Sequence, residues 1–118
     1  MNLVTGATGH IGNVLVRTLV KRGQKVRALV LPGENLQPLE GLEVELAQGD
    51  ILQEDTLQPA MAQVEHVYHL AGLISIMPGR DKHLEMVNIL GTQNVCRAAL
   101  HAGVKRMQIG RASCRERV

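Results

Sequence analysis

The chain has 118 residues, a formal net charge of +2 and 45% hydrophobic residues, with no Trp, no Phe and one Tyr, Tyr68. That length holds one domain, and the aliphatic composition suits a buried parallel sheet rather than an aromatic-rich binding surface. The stretch from Gly110 to Val118 sets three Arg against one Glu and so carries the whole net charge; the balanced body excludes a broad basic face for nucleic acid or an anionic membrane.

Asn2 to Thr5 is a short apolar run stopped by Gly6, which predicts a strand. Ile11, Val14, Leu15 and Leu19 then recur at helical spacing, and the helix is expected to stop at Gly23. Arg17, Lys21, Arg22, Lys25 and Arg27 gather around that helix end and the next strand, where a solvated face and the helix dipole account for them. Residues 25–31 read as a second strand closed by Pro32-Gly33, and residues 42–47, alternating with Glu43 and Glu45, as an edge strand ended by Gly49-Asp50. Residues 51–61 read as a short helix with Pro59 inside it.

A fourth strand is expected over residues 64–70, finished by Ala71-Gly72. The longest helix spans residues 81–102, with Leu84, Val87, Gly91, Val95, Ala98 and Ala102 on one stripe whose small residues let its axis lie close to a sheet. Gly103 stops it, and residues 104–109 begin a fifth strand. Strands alternating with helices at this rhythm predict βαβ units in an α/β domain, a doubly wound parallel sheet of strand order 3-2-1-4-5. Ligands of such a sheet bind at the switch point, beyond the carboxyl ends of strands one and four.

Cys96 and Cys114 form no C-x-x-C pair, and no spacing resembles a metal site. A reduced, cytoplasmic setting is expected, with no signal peptide, membrane span, nucleic-acid partner or bound metal.

At the switch point the sequence reads Thr5-Gly6-Ala7-Thr8-Gly9-His10-Ile11-Gly12, a G-x-x-G-x-x-G loop between the first strand and the first helix. Gly6 lets the chain turn sharply, Gly9 lets backbone approach a pyrophosphate, and Gly12 lets helix and strand pack closely. The helix start adds unpaired N–H groups and a positive dipole end. Glycine-rich turns are common, and it is the strand before and the helix after that make this one a dinucleotide signature.

TGATGHIG, Gly49-Asp50-Ile51, His69-Leu70-Ala71-Gly72 and Asn88-Ile-Leu-Gly-Thr92 together resemble the extended short-chain dehydrogenase/reductase family over residues 1–108. Its members include NAD(P)-dependent sugar epimerases, dehydratases and dihydroflavonol-reductase-like enzymes. The resemblance implies a Rossmann-type fold with NAD or NADP as cofactor. Gly6, Thr8, Gly9, His10, Ile11 and Gly12 would line the pyrophosphate. Asp50 and Ile51 would bracket the adenine, and Leu70, Ala71 and Gly72 would face the cofactor's ribose region. Asp50 could instead serve as a loop or capping residue, His69 is read as a buried histidine satisfied by backbone, and Asn88 as an amide supporting the active-site backbone. Where NAD-type members carry an acid at the end of the second strand and NADP-type members an Arg, this chain has Val30 and Leu31, with Glu34 in the next loop held in reserve for the ribose. Residues 73–80 would lie over the nicotinamide side. The full-length parent would act on a small-molecule substrate, as a homodimer through the long helix.

In that family hydride transfer uses a Tyr acid or base and a Lys four residues later that stabilises the phenolate. Tyr68 is instead followed, at that spacing, by Gly72, so no catalytic residue is assigned and the chain alone is expected to be inactive. A non-catalytic NAD(P)-sensing module of the same fold is the alternative. The last ten residues, IGRASCRERV, correspond codon for codon to a widely used sequencing-library adapter read in frame. We therefore expect residues 1–108 to be an incomplete NAD(P)-binding domain and residues 109–118 a non-native tail, with a natural basic tail as the other reading.

Overall fold

Strands buried on both faces are mostly apolar, and β1 (Asn2–Thr5) and β2 (Val26–Val30) have every residue buried, with the polar Asn2, Thr5 and Arg27 held by hydrogen bonds. Around them the computed structural model places α1 (His10–Lys21), a 3-10 turn (Gln37–Leu39), β3 (Glu45–Gln48), α2 (Glu54–Ala60), β4 (His66–His69), α3 (Lys82–Ala102) and β5 (Arg106–Ile109). Residues 1–70 and 82–109 are described, with burial given from residue 88 in the second stretch. The expectations for Ala71, Gly72, residues 73–80 and residues 110–118, and for the side chains of Leu84 and Val87, lie outside the described residues.

The five strands form one parallel sheet in the order β3-β2-β1-β4-β5, as the βαβ rhythm predicts. Alternate residues point to opposite faces. Leu3, Leu29 and Val67 pack with Leu57, Met61, Val95 and Ala98 of the α2–α3 layer, whereas Val4, Ala28 and Val30 pack with Val16 and Leu19 of α1. On α3 the stripe holds at Gly91, Val95 and Ala98, but it continues through Ala99 while Ala102 is exposed. A Cβ on Gly91 would come within 2.5 Å of Ile51 Cδ1, so the small residue sets how closely α3 approaches the loop before α2.

Several expected boundaries move, and those of the edge strand and the second helix have a local reason. The edge strand starts at Glu45 rather than residue 42, because the N–H groups of Leu42 and Val44 bond to the carbonyls of Leu39 and Leu42 in successive turns. Those two side chains are drawn under the α1 layer. The second helix begins at Glu54, after a turn in which Gln53 N–H bonds to Asp50 O at 2.9 Å, and it ends directly after Pro59. Ile109, the first residue of the segment expected to be non-native, completes β5 in register with His69.

Arg27 departs most from the sequence reading: it is 8% exposed rather than part of a solvated face. Its Nη1 donates to the carbonyls of Ala60 and Ala62, each at 2.7 Å, and its Nε donates to Glu45 of β3. The guanidinium thus occupies the negative end of α2 and ties it to β2 and β3. Replacing Arg27 with Met keeps the apolar stem but leaves two carbonyls without their donor. We expect a loss of about 2 kcal/mol in urea unfolding, whereas a change under about 0.5 kcal/mol would show that the carbonyls find water instead.

Candidate functional site

β1 has β2 on one side and β4 on the other, so the crevice beyond its carboxyl end lies where the sheet changes winding direction. Gly6 turns the chain there at φ +74°, a conformation side chains resist, and Gly9 N–H donates back to Gly6 O at 3.1 Å. α1 starts against this turn so closely that a Cβ on Gly12 would lie 2.0 Å from Gly6 O. The Gly9 cap offers no side-chain bond, and the first helical turn has no acidic residue. His10, Ile11 and Gly12 therefore carry N–H groups the helix does not use itself, at its positive end. A glycine turn leading into a helix start with no acidic residue fits a pyrophosphate.

Beside this loop the Thr8 hydroxyl donates to Glu34 Oε2, while Glu34 Oε1 accepts from Leu31 N–H at 2.8 Å. The loops after β1 and β2 are joined through one carboxylate.

Beneath the loop, His69 is fully buried on the α3 side of the sheet. Thr5 Oγ1 lies 2.7 Å from its Nδ1, and Thr92 Oγ1 of α3 lies 3.1 Å from its Nε2. Among the described residues the partners of this histidine are two hydroxyls rather than backbone. Burial lowers its pKa from 6.5 to about 4, because desolvation opposes the charged imidazolium. Leu70 N–H donates to both Thr5 Oγ1, at 3.0 Å, and Thr5 O, at 3.1 Å, which locks the start of the following loop onto the end of β1. Sequence reasoning missed this group because Thr5 and His69 become neighbours only through the parallel register of β1 and β4. The signal was a Thr immediately before the first loop glycine, opposite a His that ends an apolar run.

Asp50 and Ile51 are turned toward α2 and α3. Asp50 Oδ1 accepts from Leu52 N–H at 2.9 Å, and its own N–H donates to Thr56 Oγ1 at 2.9 Å. The Ile51 side chain faces Gly91, and its carbonyl accepts from Asn94 Nδ2 at 2.8 Å. Asn88 is half-buried on α3, one turn before Thr92. Ile11, which is 58% exposed, and Leu70 open onto a cleft of about 460 Å³ shared with Leu15, Tyr68, Gln108 and Ile109. Among the described residues no three His, Cys, Asp or Glu gather as metal ligands, and no helix is long and apolar enough to cross a membrane.

The chain is 44% identical over 105 residues to sterol demethylase protein B of Methylococcus capsulatus, covering 89% of this chain and 32% of that protein. Triphenylmethane reductase of Citrobacter sp., solved with NADP(H), superposes at a TM-score of 0.73 with 31% identity, over 92% of this chain and 36% of that one. UDP-glucose 4-epimerase of Thermus thermophilus, solved with NAD, gives a TM-score of 0.74 and 27% identity, over 90% of this chain and 35% of that one. The chain thus spans about a third of the length of these relatives. The model of the NAD dependent epimerase/dehydratase family matches residues 2–114, taking in the glycine turn, the Thr5–His69 pair and the whole sheet; the chain belongs to that family.

Proposed function

We propose that this chain is the dinucleotide-binding part of an NAD(P)-dependent epimerase/dehydratase or reductase that moves a hydride between a secondary alcohol or ketone and a nicotinamide. The observation that carries this reading is the Gly6–Gly12 contact at the switch point, too close for any side chain at position 12. The bound dinucleotide would supply the hydride donor or acceptor. The chain's own residues bind and orient it. His10, Ile11 and Gly12 offer amides to the pyrophosphate, with Gly6, Thr8 and Gly9 shaping the approach. In this reading Leu70 faces its ribose region, and Asp50 and Ile51 hold the loop beside its adenine.

No Tyr-x-x-x-Lys is present, so the proton-transferring pair is assigned to other parts of the parent enzyme and this chain binds without turnover. In the same reading the parent is a homodimer through α3, which is supported by the exposed Ile89, Leu90 and Leu100.

Titration calorimetry of the full chain with NAD+ and with NADP+ tests the reading, and we expect saturable one-to-one binding of at least one of them. Heats no larger than dilution for both, on a chain with a cooperative unfolding transition, would rule it out. A parent gene in which no Tyr-x-x-x-Lys follows would favour the sensing module over the enzyme.

A further inference from the structure

β3 lies at the edge of the sheet, so no further strand braces the loop that follows it. Bonds within the loop fix its shape: Gln53 N–H donates to Asp50 O, Leu52 N–H to Asp50 Oδ1, and Asp50 N–H to Thr56 Oγ1, each at 2.9 Å. None of them fixes where the loop stands against the crevice. That is done from α3, by Gly91, Asn94 and Arg97, which are spaced by three and so neighbour one another in turn along the helix. Gly91 leaves room for the Ile51 side chain, Asn94 Nδ2 donates to Ile51 O at 2.8 Å, and Arg97 Nε donates to Glu54 Oε1 at 3.0 Å.

Asn94 is the unusual member of this set, because it is 4% exposed beside the apolar Val95, Ala98 and Ala99. Packing alone would be served by an aliphatic side chain, and a buried amide is costly unless its groups are paired. Both groups of Asn94 are paired. Arg97 Nη2 donates to its Oδ1 at 2.7 Å, which commits the oxygen and leaves the amide N–H groups turned to the Ile51 carbonyl. The Arg97–Glu54 ion pair is about half-exposed and adds little stability by itself; its consequence is to hold the guanidinium where it orients the amide.

Resting on the dinucleotide reading above, we propose that Asn94 is a positioning residue for base recognition: it sets the Asp50–Ile51 loop against the adenine of the dinucleotide, with Arg97 keeping its amide turned toward that loop. An ionised carboxylate only accepts hydrogen bonds, and the exocyclic amine of adenine can donate to Asp50. Hypoxanthine carries a carbonyl oxygen in that place and would set one acceptor against another. Telling the two bases apart therefore depends on where the loop stands, and a site that is loose by about 1 Å loses that discrimination.

The test is titration calorimetry of the full chain with whichever of NAD+ and NADP+ binds better and with its hypoxanthine analogue, repeated for Asn94→Leu and Arg97→Met. We expect the wild-type chain to favour the adenine form about fivefold or more, Asn94→Leu to bring the ratio close to one, and Arg97→Met to lower it by less. A ratio is the useful readout, because a general loss of folded chain weakens both ligands alike. Should Asn94→Leu fail to fold, the half-exposed Arg97 decides through Arg97→Met. A ratio that survives in every variant that folds, even with both affinities reduced, would make Asn94 a structural residue only and overturn the proposal. A wild-type chain that binds both forms equally would also overturn it and leave the dinucleotide reading standing. Binding of no dinucleotide would sink that reading and this proposal together.

Discussion

A Gly12→Ala chain is expected to lose dinucleotide binding and about 3 kcal/mol or more of unfolding free energy. The added methyl carbon would lie 2.0 Å from Gly6 O, 2.8 Å from Gly6 C and 3.1 Å from Ala7 Cα. All three are backbone atoms, so no side chain can rotate away. Either α1 moves off β1, opening the layer built from Val16, Leu19 and Val4, or the turn at Gly6 is forced out of shape. Gly9→Ala separates the two effects. Its nearest neighbour would be Gly6 O at 3.4 Å, an ordinary contact, so it should fold near-normally while binding weakens. Urea unfolding followed by circular dichroism reads the stability and calorimetry the binding. A Gly12→Ala chain within about 1 kcal/mol of wild type would mean that helix and turn are less tightly coupled than the geometry requires.

The second large effect concerns acid. The pKa of His69 is 6.5 when unfolded and about 4 in the fold, so between those values the unfolded state binds a proton that the native state refuses. Stability therefore rises with pH through this window, is complete above pH 6.5, and is lost as pH falls toward 4. Below the window both states are protonated, and this contribution levels off. The slope approaches about 1.4 kcal/mol per pH unit and the whole window amounts to about 3 kcal/mol. Carboxylates titrate at the acid end as well, so the decisive comparison is with His69→Asn, which cannot titrate. Subtracting its stability profile from that of wild type should leave a single step on the acid side of neutrality. A flat difference between about pH 7 and about pH 4.5 would show that His69 gains a proton without penalty.

The order of elements was legible because apolar runs, helical spacing and glycine stops are local signals, and strand order followed from the βαβ rhythm. The expected glycine loop ran on to Gly12, whereas Ile11 and Gly12 belong to the first turn of α1, which starts at His10. What escaped was carried by contacts distant in sequence. Nothing near Arg27 announces that the carbonyls of Ala60 and Ala62 will need a donor, so a buried guanidinium looked like another surface charge. His69 was read as buried, yet its partners are hydroxyls that the register of β1 and β4 and the docking of α3 bring in. Glu34 was noticed as an acid in a loop, but only the turn geometry returns it to Thr8. The start of β3 was misplaced because alternation continues through Leu42 and Val44, whereas their N–H groups are already committed to turns.

The central position of β1 also governs how the molecule is made. Asn2 pairs with Val26 on one side and with His66 on the other, and the Thr5–His69 contact closes over 64 residues. Parallel pairings at such separation bring a loop-closure cost before any contact rewards it, and they slow folding. Until β4 arrives, β1 presents an open hydrogen-bonding edge and can recruit the wrong strand. The floor of the crevice is completed by that same late pairing. Competence to hold a ligand is therefore gained only once β1 and β4 have paired, and a bound ligand favours the state in which that pairing is made.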